Sequence, residues 1–124
     1  MRHSLLVLLA ALPLAAPAWA AGDPAAGEKV FSRCKACHEI AKPQNKVGPT
    51  LVGIIGRPAG SVEGFKYTEA MKNSGKVWDE VSLAEYLKDP KAFVPGNKMA
   101  FVGLKNETEI VDVIAYIKQA SPSP

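Results

Sequence analysis

One pentapeptide, Cys34-Lys35-Ala36-Cys37-His38, constrains this chain more than any other feature. It holds both cysteines of the sequence and the only histidine besides His3. Three chemistries use such a cluster. A thiol redox pair wants a thioredoxin-like strand–helix setting, and no strand pattern precedes Cys34. A zinc site wants a fourth good ligand, and only two Cys and one His stand close together here. Covalent attachment of a c-type haem needs what is present. Two thiols three residues apart share one face of a helical turn and can bond two vinyl groups, and the adjacent imidazole points at the iron from the same side. That reading uses every member of the cluster.

The chain's start points to export. Met1-Arg2-His3 is a short basic opening, and Leu5 to Leu14 is an apolar run broken only by Pro13. Ala18-Trp19-Ala20 then supplies the small-x-small pattern of a cleavage point. The run is about 10 residues where a spanning helix needs ~20. We therefore expect residues 1–20 to be a cleaved signal peptide, with an uncleaved interfacial anchor as the alternative, and residues 21–124 to be one exported domain. Charge adds little. Fifteen basic residues against twelve acidic give +3, or +2 once Arg2 leaves with the leader, far from a nucleic-acid-binding footprint. Aromatics are only 7% of the chain, thin for a domain that must build its own core. A covalently held macrocycle would fill that deficit, as small domains commonly need a staple.

The remaining pattern is helical. Asp23-Pro24 reads as an N-cap followed by proline in the first helical position, opening a helix through Gly27, Val30 and Phe31 into the cysteines. Asn106-Glu107-Thr108-Glu109 resembles a capping box and precedes Ile110, Val113, Ile114 and Ile117 at helical spacing. These two terminal helices should cross and close the domain. Ser82-Leu83-Ala84-Glu85 reads as a further capping box, with its helix stopped at Asp89-Pro90, and a short helix should span Thr68 to Asn73. Gly48 to Gly64 carries five glycines and two prolines and should be ordered loop. Residues 121–124, Ser-Pro-Ser-Pro, should form a frayed tail. The expected fold is all-α, loop-rich and single-domain.

With His38 at one axial position, function turns on the other. Met99 sits in Pro95-Gly96-Asn97-Lys98-Met99, a turn that can present a thioether at a fixed point. His/Met coordination gives a high-potential haem. Core filler is the bland alternative for any methionine, but a turn flanked by Lys98 is an odd place for it.

Taken in order, these segments resemble class I cytochrome c, near the mitochondrial cytochromes c and bacterial cytochromes c₂, from about Gly22 to Ala120. The likeness rests on the haem motif, Gly48-Pro49-Thr50-Leu51, Gly56-Arg57, Gly64-Phe65-Lys66-Tyr67-Thr68, Trp78, Glu85-Tyr86-Leu87, Asp89-Pro90-Lys91, the Met99 turn and Ile114-Ala115-Tyr116. It implies a class I cytochrome c fold with crossing terminal helices wrapped around one haem c on Cys34 and Cys37. It implies axial ligation by His38 and Met99, with Pro49 accepting from the second ring nitrogen of His38. Arg57, Tyr67 and Trp78 would surround the haem propionates, Tyr86 would set its hydroxyl near the Met99 sulfur, and Asn97 would stand where a hydroxyl residue commonly meets a propionate. Lys35, Lys46, Lys91, Lys98 and Lys105 would rim the haem edge for transient docking.

The resemblance further implies a carrier rather than an enzyme. It would be a monomeric, soluble periplasmic shuttle between a cytochrome bc complex and an oxidase or photosynthetic reaction centre, with no nucleic-acid partner. A rival class, an enzyme or gas sensor with an open sixth site, turns on the Met99 segment. A second rival, a dedicated acceptor for one periplasmic dehydrogenase, turns on rates with candidate donors. Three departures stand out: Met71 replaces an asparagine typical of relatives, Asn97 replaces a hydroxyl residue, and the His38–Gly48 loop and the Phe31–Cys34 spacing are each one residue shorter than in mitochondrial relatives.

Overall fold

Two helices from opposite ends of the chain pack across each other and frame everything else. In the computed structural model, which describes residues 11–14 and 22–121, the helices are α1 (Pro24–Phe31), α2 (Glu69–Lys72), α3 (Glu80–Lys88), α4 (Pro90–Phe93) and α5 (Glu107–Ala120). Most of the candidate leader, and residues 122–124 of the tail, lie outside the described residues. Residues 11–14 have no regular structure, with Leu12 and Leu14 exposed.

α1 begins where the sequence signals it, with Asp23 accepting from the Ala25 N–H and Pro24 in the first turn. Its expected run into the cysteines is corrected. The helix ends at Phe31 because Ser32 turns its hydroxyl back onto the Lys29 carbonyl at 2.6 Å. The following bonds then tighten to i→i+3, from Arg33 N to Val30 O and from Cys34 N to Phe31 O. α5 is capped by Asn106, whose side chain accepts from Thr108 and Glu109 N–H. Glu109 does not complete the box with its own carboxylate; it pairs with Arg33 at 3.3 Å instead.

The α1–α5 crossing is possible because residue 27 has no side chain. A Cβ on Gly27 would collide with the backbone carbonyl of Asp112. Phe31 then meets Tyr116 with ring centroids 5.3 Å apart, and Val113 is fully buried beside them. The Asp112 carboxylate accepts the Asp23 N–H at 2.8 Å, tying the start of α1 to the closing helix.

α2 lies within the expected Thr68–Asn73 span, capped by the Thr68 hydroxyl. α3 starts earlier than expected. Asp79, not Ser82, is its N-cap: Asp79 accepts from the Ser82 N–H, and Ser82 Oγ returns to the Asp79 N–H. Asp89 then ends α3 and opens α4, with Pro90 in the first turn, so the proline read as a stop begins a further helix. Between Gly48 and Gly64 the chain is irregular. An isolated antiparallel bridge joins Pro58 to Val77, and Gly56 N–H donates to the Trp78 carbonyl. Ser121 corrects the frayed-tail expectation: it is buried, donates to the Leu51 carbonyl at 2.7 Å and accepts from Gly53 N–H at 2.9 Å.

Candidate functional site

The turn after α1 carries the haem motif. Cys37 N and His38 N both donate to the Cys34 carbonyl, at 3.1 and 3.0 Å, which winds Cys34 to His38 into one helical turn. Both cysteines are free thiols and half-buried. Burial pushes the Cys34 thiol above its ordinary range despite the nearby Arg33. Among the described residues, no cluster of three or more His, Cys, Asp or Glu is gathered where it could hold a metal ion.

His38 is oriented by its back edge. Nδ1 lies 2.7 Å from the Pro49 carbonyl. A carbonyl oxygen only accepts, so Nδ1 carries the proton and Nε2 keeps a free lone pair. Burial lowers the imidazole's basicity, and the Arg57 and Lys46 cations add to that, against the opposing effect of the Pro49 bond. A neutral ring with Nε2 unprotonated is the ligating form. Gly48 makes the seat: its N–H donates to the Cys37 carbonyl at 2.8 Å, and a Cβ there would overlap the His38 ring at Cε1.

A second group of residues forms a connected wall. Trp78 N–H donates to the Arg57 carbonyl, the Trp78 and Tyr86 rings lie 4.9 Å apart, and Tyr86 points its hydroxyl at Met99 Sδ, 3.8 Å away. Tyr86 is buried deeply enough that its phenol is pushed up to about 12. Met99 is half-buried and packs against the core, as does Met71 from α2.

Arg57 and Tyr67 keep donors to spare. Arg57 Nη1 donates to the Val52 carbonyl at 3.0 Å, whereas its Nε is buried with no hydrogen-bond partner. The Tyr67 oxygen accepts from Val62 N–H, leaving its own proton free to be donated. A buried, unmatched guanidinium N–H costs on the order of 1–3 kcal/mol, and a propionate-bearing macrocycle would supply the missing acceptor. The donor set, the paired thiols and the cradle at Gly48 all fit a c-type haem.

Asn97 has a structural task of its own. It is buried, and its amide is spent on backbone: Nδ2 donates to the Pro90 and Val94 carbonyls, both at 2.8 Å, and Oδ1 accepts from Met99 N–H at 3.0 Å. Asn97 thus builds the turn that presents Met99. The five lysines are all exposed. Lys46 braces its loop by donating to the Lys35 carbonyl at 2.8 Å, and Lys105 does the same to the Lys88 carbonyl at 3.0 Å. Lys35, Lys91 and Lys98 have no acidic partner among the described residues. Sequence reasoning assigned no role to the Gly48 seat or to Asn45, which accepts from Thr50 N–H beside the Pro49 carbonyl. The Gly-Pro pair after a short loop was the available signal for the seat.

Residues 24–121 match the family described as Cytochrome c. The chain belongs to the cytochrome c family. Among relatives, it is 55% identical over 111 residues to cytochrome c2 of Rhodomicrobium vannielii, covering 87% of each chain. It is 50% identical over 120 residues to cytochrome c2 of Blastochloris viridis, covering 96% of this chain and 94% of that one. Among solved structures, cytochrome cH from Methylobacterium extorquens superposes with a TM-score of 0.74 at 48% identity, over 79% of this chain and 99% of that one. The all-α class I cytochrome c fold and the resemblance to cytochrome c₂ therefore stand. This cytochrome is an electron carrier whose prosthetic group is one covalently attached c-type haem.

Proposed function

We propose that this cytochrome is a soluble periplasmic one-electron shuttle, its iron held by His38 and Met99, passing electrons from a cytochrome bc complex to a terminal oxidase or photosynthetic reaction centre. In this reading the leader is removed after Ala20 and the mature protein is a monomer. The observation that carries it is the fixed Met99 sulfur: Tyr86 donates to it, and Asn97 locks the turn beneath it. A thioether held in this way would serve as the second ligand to a bound haem, and an iron with both positions taken would leave no place for substrate.

When bound, the haem supplies one-electron Fe(II)/Fe(III) exchange. The protein's residues fix the conditions of that exchange. Cys34 and Cys37 would anchor the ring by two thioether bonds, and the Pro49 carbonyl holds His38 in the tautomer that can ligate. Arg57 Nε and the Tyr67 hydroxyl offer donors for the propionates. As a ligand, the soft Met99 thioether together with burial would favour the less charged Fe(II) state and raise the potential. His38 and Met99, each held by its own hydrogen bond, would keep rearrangement small during such an exchange. Lys35, Lys91 and Lys98 present positive charge for brief docking to acidic partners.

A CO-difference spectrum of the reduced, haem-loaded protein at neutral pH tests the reading. Absence of a shift in the wild type, with stoichiometric CO binding appearing in Met99→Ala, is the expected pair of results. Prompt CO binding by the wild type would overturn it in favour of a sensor or enzyme.

A further inference from the structure

The Pro49–Thr50 peptide is hydrogen-bonded at both ends. Its carbonyl accepts from His38 Nδ1 at 2.7 Å, and its N–H donates to the side-chain oxygen of Asn45 at 2.9 Å. The other end of the Asn45 amide, Nδ2, donates to the Glu63 carbonyl at 3.2 Å. That pair of partners fixes which way the amide faces, since the Thr50 N–H only donates and the Glu63 carbonyl only accepts. Thr50 is itself buried, with its hydroxyl bonded to the Lys42 carbonyl and accepting from Val52 N–H at 3.2 Å. The peptide therefore cannot rotate away from either partner.

A peptide whose N–H is engaged shifts electron density onto its carbonyl oxygen, and successive hydrogen bonds strengthen one another. A stronger pull on the Nδ1 proton makes the opposite ring nitrogen a better donor to a metal. We propose that Asn45 is a positioning residue for the axial histidine: through the Pro49–Thr50 peptide it sets how strongly His38 donates to the iron, and so where the Fe(III)/Fe(II) equilibrium lies. The inference rests on His38 being an axial ligand. It gives Asn45 a role distinct from tying together the loops that carry Thr50 and Glu63, because only the acceptor end of the amide reaches the ligand.

The two ends can be separated by substitution. Asn45→Ala removes both bonds, whereas Asn45→Asp keeps a stronger acceptor facing Thr50 N–H and loses the donor to Glu63. In haem-loaded, reduced protein, the NMR resonance of the His38 Nδ1 proton reports the bond to Pro49. It moves upfield in Asn45→Ala and downfield in Asn45→Asp. In a potentiometric titration, Asn45→Ala shifts the equilibrium toward Fe(II) by about two- to fourfold. A resonance that stays put in both variants, or moves the same way in both, overturns the inference and leaves Asn45 a loop tie. If Asn45→Ala fails to take up haem, the Asn45→Asp shift alone decides, downfield in support and unmoved against. A failure of His38 ligation is separately visible, because the wild type would then lack ring-current-shifted His38 protons.

Discussion

Tyr86 joins packing and chemistry in one side chain. Its ring leans on Trp78, its hydroxyl reaches Met99 Sδ, and burial raises the phenol from 10.0 to about 12. A group whose folded pKa lies above its unfolded value stabilises the fold below the unfolded pKa and loses that contribution as pH climbs through the folded one. The window here runs from pH 10 to about 12, and the stability at stake is about 2–3 kcal/mol. Denaturant titrations of the haem-loaded protein between pH 9 and 12 should show this decline in the wild type and a flatter one in Tyr86→Phe. Single residues also mark how far the sequence could be read. His38 and Met99 stand out in local motifs, whereas the pairings of His38 with Pro49 and of Tyr86 with Met99 were expected only from the family resemblance; the structure sets both pairs together. The bonding of Asn97 was not legible, since its partners Pro90 and Val94 lie at the start and just past the end of a helix that residue spacing did not reveal.

Capping chemistry explains which elements were legible. Thr68 and Asn106 are caps whose own side chains close the first turn, so α2 and α5 appear where their signals stand. α3 was displaced because a Ser-x-x-Glu pattern competes with an aspartate three residues upstream, and Ser82 serves as the third helical residue rather than the cap. α4 was hidden because Asp89-Pro90 reads equally as an end and as a beginning. Ser121 was misjudged for a different reason: its partners, Leu51 and Gly53, lie about seventy positions away and leave no local trace. The α1–α5 crossing gives the sharpest test at this scale. Gly27→Ala forces a methyl group into the Asp112 backbone, and backbone cannot yield as a flexible side chain can. A loss of about 3 kcal/mol is expected, read as a lowered denaturation midpoint of the haem-loaded protein.

Across the whole molecule, charge is sorted. The acids of α5 are satisfied internally: Glu107 faces Lys88 at 4.0 Å, Glu109 faces Arg33, and Asp112 accepts from the Asp23 N–H ahead of α1. Lys35, Lys91 and Lys98 have no such partners among the described residues, so a small net charge conceals an uneven field. Such fields accelerate encounter and are screened by salt. The association rate with an acidic redox partner, followed by stopped flow, should fall as ionic strength rises. Lys98→Glu should lower it roughly tenfold at low salt and far less at high salt. The bond from Asp23 to Asp112 spans 89 positions, nearly the full length of the described domain. A chain that emerges in sequence order therefore presents Cys34 and Cys37 before the helix that packs on α1 has appeared. The pairing of α1 with α5 can form only once nearly the whole domain has been made, some seventy residues after the two thiols.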